Sequence, residues 1–403
     1  MSTMPARRFG RSELHVPVFT CGGMRAQQSW EDIPENDIPA DNQENFEAIV
    51  HRALELGINH FETSRGYGTS EVQFGRVLPT LPRDDILVQT KIGPTETAKE
   101  FLKIFETSIS NLNLEYVDLL AVHGINTPEL LEWCTRKNGV LDAMKGLKKD
   151  GRIRHIGFST HGLTHTIVDA INTGEFDYVN VHWYFVYEPI TWPAVEAAAK
   201  QDMGVFIISP NDKGGKLYEP PPRLANLCAP LSPMIFNDLY CLSRNEVHTL
   251  SVGPSRPSDF DEHIDALHHY DRRVELSDDV AGRLRRALAD TLGEEWTKRW
   301  YEGVPDWYDI PGEIHVKEIL RLWNFAKGLD MVSFGKMRYN LLGTADHWFP
   351  GKNAAELDSF DLGDVLAASP FADEIPGRLR EAHTLLADEP VLRQSEAETA
   401  KLA

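Results

Sequence analysis

Glu62, Lys91 and His123 each end an apolar run, and Tyr67 lies just past the first of them in the loop Thr63-Ser-Arg-Gly-Tyr-Gly-Thr-Ser-Glu71. A carboxylate, an ammonium, an imidazole and a phenol are the set that proton delivery to a carbonyl oxygen requires. A free phenol titrates at about 10, and a lysine cation beside it lowers that value by stabilising the phenolate. In such a set the carboxylate holds the lysine. Singly, each residue has a plainer explanation: Lys91 can finish a strand, His123 can bond a carbonyl, and Tyr67 can cover a loop. Only a fold that gathers these ends turns them into a site.

The elements that must do the gathering are legible as alternation. Short apolar runs at residues 18–21, 58–62, 86–91, 117–123, 153–159, 178–184, 205–209 and 249–253 are separated by stretches of helical period such as 45–56, 98–111 and 139–150. Runs apolar throughout, such as Asp118-Leu-Leu-Ala-Val122, suit parallel strands buried on both faces. Glycines at 57 and 151 read as helix C-caps. The pattern predicts an α/β fold, a (β/α)8 TIM barrel, whose strand ends meet at one mouth; a doubly wound sheet is the alternative. Residues 219–223 and 227–233, rich in proline or irregular, predict a long loop after the seventh strand. After Asp271 the alternation stops, and 277–292, 316–328 and 372–385 look helical. The expected division is therefore a barrel over 1–271 and an added helical segment over 272–403. Trp296, Trp300, Trp307 and Trp323 crowd that segment and predict packing anchors. The polar end, 387–403, is expected to fray.

The chain resembles the aldo-keto reductases from Met4 to about Tyr270. Arg8-Phe-Gly-Arg-Ser-Glu-Leu-His-Val-Pro17 and Cys21-Gly-Gly-Met-Arg25 are similar to the family's opening β-hairpin and first strand. Gly57-Ile-Asn-His-Phe-Glu-Thr-Ser64 with Gly66-Tyr-Gly-Thr-Ser-Glu71 resembles its catalytic motif, and Val88-Gln-Thr-Lys91, Val117-Asp-Leu-Leu-Ala-Val-His123 and Ile156-Gly-Phe-Ser-Thr-His161 extend the match. The resemblance implies a tetrad of Glu62, Tyr67, Lys91 and His123, with glutamate where the family has aspartate. It implies hydride transfer between NADP or NAD and a carbonyl or alcohol, with Tyr67 as general acid. For the carboxamide of that cofactor it implies Ser159, His161 and Asn180. For the pyrophosphate it implies the loop Ser209-Pro-Asn-Asp-Lys-Gly-Gly-Lys-Leu217, through Ser209, Lys213, Gly214, Gly215 and Leu217. For the adenosine end it implies Gly253, Ser255 and Arg256. Asp259 stands where that segment often has a basic residue, leaving Arg256 or Lys213 to meet a 2′-phosphate. The C-terminal third resembles an offshoot with a ferredoxin-like segment, through Pro311-Gly-Glu-Ile-His-Val-Lys-Glu-Ile-Leu-Arg-Leu-Trp323 and Lys336-Met-Arg-Tyr-Asn340. No cysteine follows Cys241, so no iron–sulfur cluster is expected there.

Composition narrows the classes further. Acidic residues outnumber basic ones by 61 to 41, a formal charge of −20 that argues against a nucleic-acid partner. No run of about 18 apolar residues is present to span a bilayer. Residues 1–10 carry no apolar stretch of a secretory signal, so a cytoplasmic protein is expected. Cys21, Cys134, Cys228 and Cys241 are scattered, without metal-site or disulfide spacing. The expected partner is a small carbonyl or alcohol substrate. Two other readings compete: an idle barrel that binds cofactor or a partner protein, and a metal-dependent hydrolase using His123, His161, His182 and Glu62. The second lacks the HxH pair that metal barrels usually carry.

Overall fold

The computed structural model describes residues 4–393. An antiparallel pair, β1 (Ala6–Arg8) and β2 (His15–Pro17), precedes eight parallel strands closed into a barrel. They are β3 (Phe19–Gly22), β4 (His60–Glu62), β5 (Leu87–Ile92), β6 (Val117–His123), β7 (Ile153–Ser159), β8 (Tyr178–Val181), β9 (Gly204–Ile207) and β10 (Thr249–Val252). Each pairs with the next in sequence, and β10 pairs with β3 to close the ring. This is an α/β TIM barrel with a β-hairpin before it and extra helices after it.

The expected strand over 178–184 stops at Val181, where His182-Trp183-Tyr184 leads into a tight turn at Phe185–Tyr187. The expected run to Ser209 stops at Ile207, because Ser209 has φ of 52°, a left-handed conformation that no strand continues through.

Helices fill the crossovers, and local chemistry sets their ends. The Thr97 hydroxyl accepts from the Glu100 N–H at 3.2 Å and caps Ala98–Leu112; Thr127 does the same for Pro128–Thr135 through Leu130 at 3.3 Å. The stretch after the seventh strand is loop only in part: helix Pro222–Cys228 lies within it and Pro233–Leu242 begins at its end, with the irregular residues 229–232 between them. Each helix opens on a proline, which the first turn tolerates because its N–H has no intrahelical partner.

Inside the barrel, Phe9 and Val16 pack with Leu119, Ala121, Tyr178 and Phe206 as one buried apolar cluster. Polar side chains also lie between strands: Thr20 Oγ1 is 3.0 Å from His60 Nδ1 and 2.8 Å from Thr249 Oγ1. Burial is the largest influence on His60 and lowers its pKa to about 3, so the imidazole is neutral.

The chain divides into two compact units: residues 1–210 with 237–274, and residues 211–236 with 275–403. The segment after the seventh strand thus groups with the C-terminal helices. In that second unit Trp296 donates from Nε1 to Asn324 Oδ1 at 2.7 Å and packs edge-on against Trp323 and Phe371. Trp296, Trp300 and Trp323 are buried, whereas Trp307 is only half-buried. Of the polar end, residues 394–403 lie outside the described residues. Residues 387–393 are tied down, with Asp388 N–H donating to Asn340 Oδ1 at 2.9 Å and Val391 N–H to the Asn340 carbonyl at 2.9 Å. No helix among the described residues is long and apolar enough to cross a membrane.

Candidate active site

Three neighbouring strands deliver the four residues. Glu62 ends β4, Lys91 is the penultimate residue of β5, and His123 ends β6; Tyr67 follows β4 in the turn before helix Ser70–Val77. Glu62 and Lys91 are buried and form an ion pair. Lys91 Nζ also donates to the Thr63 carbonyl at 2.7 Å and lies 4.8 Å from the centre of the Tyr67 ring. Burial pulls the Lys91 amine well below the ordinary lysine value, and the Glu62 carboxylate against it works in the opposite direction. Tyr67 and His123 meet edge to face, with ring centres 5.5 Å apart. Carboxylate, lysine, phenol and imidazole thus form one continuous chain.

Two residues that carry no strong signal in the sequence complete it. Ser64 Oγ is 2.7 Å from His123 Nδ1 and 3.1 Å from the Lys91 carbonyl, and accepts from the Gly66 N–H at 3.1 Å. Ser64 donates its one hydroxyl proton to the Lys91 carbonyl, so the 2.7 Å bond takes its proton from His123 Nδ1. Nε2 donates to a carbonyl oxygen when the ring is protonated or the hydroxyl rotates to Nδ1. Trp30 stands edge-on to Tyr67 with ring centres 6.0 Å apart, and its buried Nε1 lacks a hydrogen-bond partner among the described residues. Serine in a loop and tryptophan before a helix are too common to be read as functional from sequence alone.

Beside this chain, Ser159 ends β7 and Asn180 sits on β8, in register with His123 and with each other. Both are buried, and among the described residues the Ser159 Oγ and both amide atoms of Asn180 have no hydrogen-bond partner. Leaving a buried polar group unpaired costs about 1–3 kcal/mol, so three such atoms side by side call for a ligand with donors and acceptors of its own. A carboxamide, which offers an N–H2 and a C=O, fits the donors and acceptors of this set.

The other residues expected at a cofactor are dispersed. His161 turns to His182, Nδ1 to Nε2 at 3.4 Å, and its backbone N–H donates to Asn126 Oδ1 at 2.7 Å. Gly253 packs near Arg25, and the carbonyl of Ser255 accepts from Asn45 Nδ2 at 2.8 Å. Asp259 takes the backbone N–H groups of Ser255 and Arg256 at 2.8 and 3.3 Å and pairs with Arg256 Nε at 3.0 Å. Ser209 lies in the barrel unit, while Lys213, Gly214, Gly215 and Leu217 belong to the second unit. Among the described residues no three His, Cys, Asp or Glu side chains gather as a ligand set for a metal.

A profile of the Aldo/keto reductase family matches residues 19–210, the stretch that carries the first seven barrel strands and every residue of the chain just described. Residues 19–210 are an aldo/keto reductase domain. L-galactose dehydrogenase of Arabidopsis thaliana is 25% identical over 299 residues, covering 66% of this chain and 89% of that enzyme. D-arabinose 1-dehydrogenase of Saccharomyces cerevisiae is 32% identical over 157 residues, 36% of this chain and 43% of that one. Among solved structures, an aldo-keto reductase from Bacillus halodurans in its holo form superposes with a TM-score of 0.57 at 19% identity, over 69% of this chain and 96% of its own. The two sequence relatives are named as dehydrogenases.

Proposed function

We propose that the protein interconverts a carbonyl and an alcohol with a nicotinamide dinucleotide, NADP or NAD, at the mouth of the barrel. The observation that carries this reading is the buried, unpaired trio of Ser159 Oγ and the two Asn180 amide atoms, in register with His123. Ser159 and Asn180, with His161 nearby, would hold the carboxamide. Ser209 is proposed for the phosphates, and Gly253, Ser255 and Arg256 for the adenosine end. Asp259 already occupies the donors of Ser255 and Arg256, which favours a 2′-hydroxyl over a 2′-phosphate. The bound nicotinamide would supply or accept the hydride.

The chain's own residues manage the proton. In reduction Tyr67 gives its phenolic proton to the carbonyl oxygen; in oxidation the phenolate takes it back from the alcohol. Lys91, held by Glu62 and the Thr63 carbonyl, places positive charge against the Tyr67 ring and so stabilises the phenolate that each turnover creates. His123, fixed by Ser64, orients the carbonyl oxygen through Nε2. The small-molecule partner is a carbonyl or alcohol, and the cytoplasm is the proposed compartment.

Calorimetry with NADPH and NADH, followed by turnover assays on a panel that includes L-galactose and D-arabinose, tests the proposal. The expected result is a saturable heat with at least one cofactor and oxidation or reduction of at least one sugar or simple aldehyde. Cofactor binding without turnover would favour the idle-barrel reading. Silence with both cofactors would overturn the oxidoreductase chemistry proposed for this site.

A further inference from the structure

After β3 the chain runs without regular structure: residues 23–34 form only turns and bends before the short turn Glu35–Asp37. Its backbone N–H groups have no helix or strand ladder to join, so other groups must meet them. For Gln28 and Ser29 those groups are side chains at the start of helix Ser70–Val77, just past Tyr67. The Gln28 N–H donates to Thr69 Oγ1 at 3.0 Å and to Gln73 Oε1 at 2.8 Å, and the Ser29 N–H donates to Thr69 Oγ1 at 3.2 Å. The Thr69 N–H in turn donates to the Ser29 carbonyl at 3.0 Å.

Thr69 takes on this task at the expense of a local one. It is the N-cap of helix Ser70–Val77, where a threonine hydroxyl ordinarily accepts from the first helical turn, yet it makes no such bond. Its hydroxyl faces the other segment and donates to Gln73 Oε1 at 2.9 Å, while Gln73 Nε2 donates to Asn42 Oδ1 at 2.8 Å on helix Ala40–Glu55. Both Thr69 and Gln73 are buried. A buried polar network with its partners satisfied fixes one arrangement of the segments it joins, because a shift leaves a group unpaired. Two ion pairs nearer the surface continue the seam, Arg65 with Asp32 and Arg76 with Glu35 at 2.8 Å. Gly68 lets the two backbones approach: its φ is 49°, and a Cβ there would collide with the Ser29 carbonyl oxygen.

The residue that this seam carries to the site is Trp30. Its ring stands edge-on to Tyr67 with centres 6.0 Å apart, while Lys91 Nζ lies 4.8 Å from the centre of the same phenol and His123 meets it at 5.5 Å. Lys91 and His123 come from barrel strands. Trp30 comes from irregular chain, and Tyr67 is a half-buried residue in a turn, so neither is placed by a regular element. Proton transfer requires hydrogen-bond reach, and a misplacement of about 1 Å can cost about 10²-fold in rate.

We propose that Thr69 and Gln73 are positioning residues of this site: they fasten the Gln28–Trp30 segment to the Tyr67 turn, so that Trp30 holds the phenol in line for proton transfer. The inference rests on the carbonyl–alcohol reading above, since the proton concerned belongs to that reaction.

The test is a double-variant cycle on the full chain, with kcat on the best substrate found and the cofactor Kd measured for wild type, Thr69→Val, Trp30→Ala and the pair. Valine keeps the shape of threonine and removes the hydroxyl; Thr69→Ser keeps the hydroxyl. Thr69→Val and Trp30→Ala are each expected to lower kcat by about tenfold with an unchanged Kd, and Thr69→Ser to retain most of the activity. In the Trp30→Ala background Thr69→Val is expected to add nothing, because the two act through one another. A merely structural role would cost the same factor in both backgrounds. That additive result, wild-type kcat in either folded single variant, or a Kd that rises as kcat falls, overturns the inference. If Thr69→Val fails to fold, judged by near-ultraviolet circular dichroism, Gln73→Met takes its place in the cycle, and Trp30→Ala, at a half-buried residue, tests the claim by itself. A wild type that binds cofactor and turns over substrate while the cycle is additive defeats this inference and leaves the carbonyl–alcohol reading intact; a wild type that does neither overturns both.

Discussion

Ser64 and Asp259 show how a single side chain sets what its neighbours can do. Ser64 positions His123 through a bond of 2.7 Å to Nδ1. Replacing it with alanine removes that partner and frees the ring to turn. We expect kcat to fall by about tenfold, the worth of one such bond, with cofactor affinity unchanged and activity restored by Ser64→Thr. Loss of cofactor affinity in step with kcat would mean that Ser64 shapes the fold rather than the imidazole. Asp259 acts on selectivity, because its carboxylate occupies two backbone donors and the Arg256 guanidinium. Asp259→Ala should raise affinity for NADPH relative to NADH by about fivefold to tenfold, as freed donors meet the 2′-phosphate. An unchanged ratio would place 2′-phosphate discrimination elsewhere.

At the scale of the element, strand register decides whether the longer carboxylate fits. Gly22 on β3 is opposite Glu62 on β4, and a Cβ at Gly22 would come within 3.1 Å of Glu62 Oε2. The extra methylene of glutamate therefore lies beside a missing side chain. Gly22→Ala should crowd that carboxylate and reduce kcat several-fold, and pairing it with Glu62→Asp should recover activity. If both single variants are silent, the carboxylate is not under positional control. The strands themselves were legible because parallel barrel strands are continuous apolar runs, and Val117–His123 and Ile153–Ser159 match their expected limits. The helix Ala40–Glu55 began earlier than its apolar period, since Ala40 to Asn45 offers no buried face before Phe46 except Gln43. The tetrad was legible because its members end runs. Ser64 was not, because a loop serine has no period.

For the whole molecule, buried neutral histidines tie stability to pH. In the barrel unit, burial lowers His60 to about 3 and His248 to about 4, against 6.5 for a free imidazole. Below about 6.5 the unfolded chain takes up protons that the folded one refuses, so stability falls as pH drops from about 6.5 towards 4. The slope approaches about 1.4 kcal/mol per pH unit for each histidine. Against the effect of burial, Asp238 raises His263, which runs the other way: its contribution is full below about 6.5 and is lost as pH rises above that value, so it does not produce the decline towards pH 4. Urea unfolding at intervals between pH 7 and pH 4 should show the decline, and His248→Gln should flatten it; constant stability across the range would contradict the assignment.

The central claim concerns the proton on Tyr67. Tyr67→Phe removes one oxygen and leaves the ring between Lys91, His123 and Trp30, so the variant isolates chemistry from binding. The decisive measurement is the ratio of variant to wild-type kcat/KM on the best substrate found, with the cofactor Kd measured on the same preparations. The account predicts an unchanged Kd and a fall of about 10²-fold or more in kcat/KM, the usual size of a general-acid contribution. Full turnover by Tyr67→Phe would contradict it and place the proton donor on another residue.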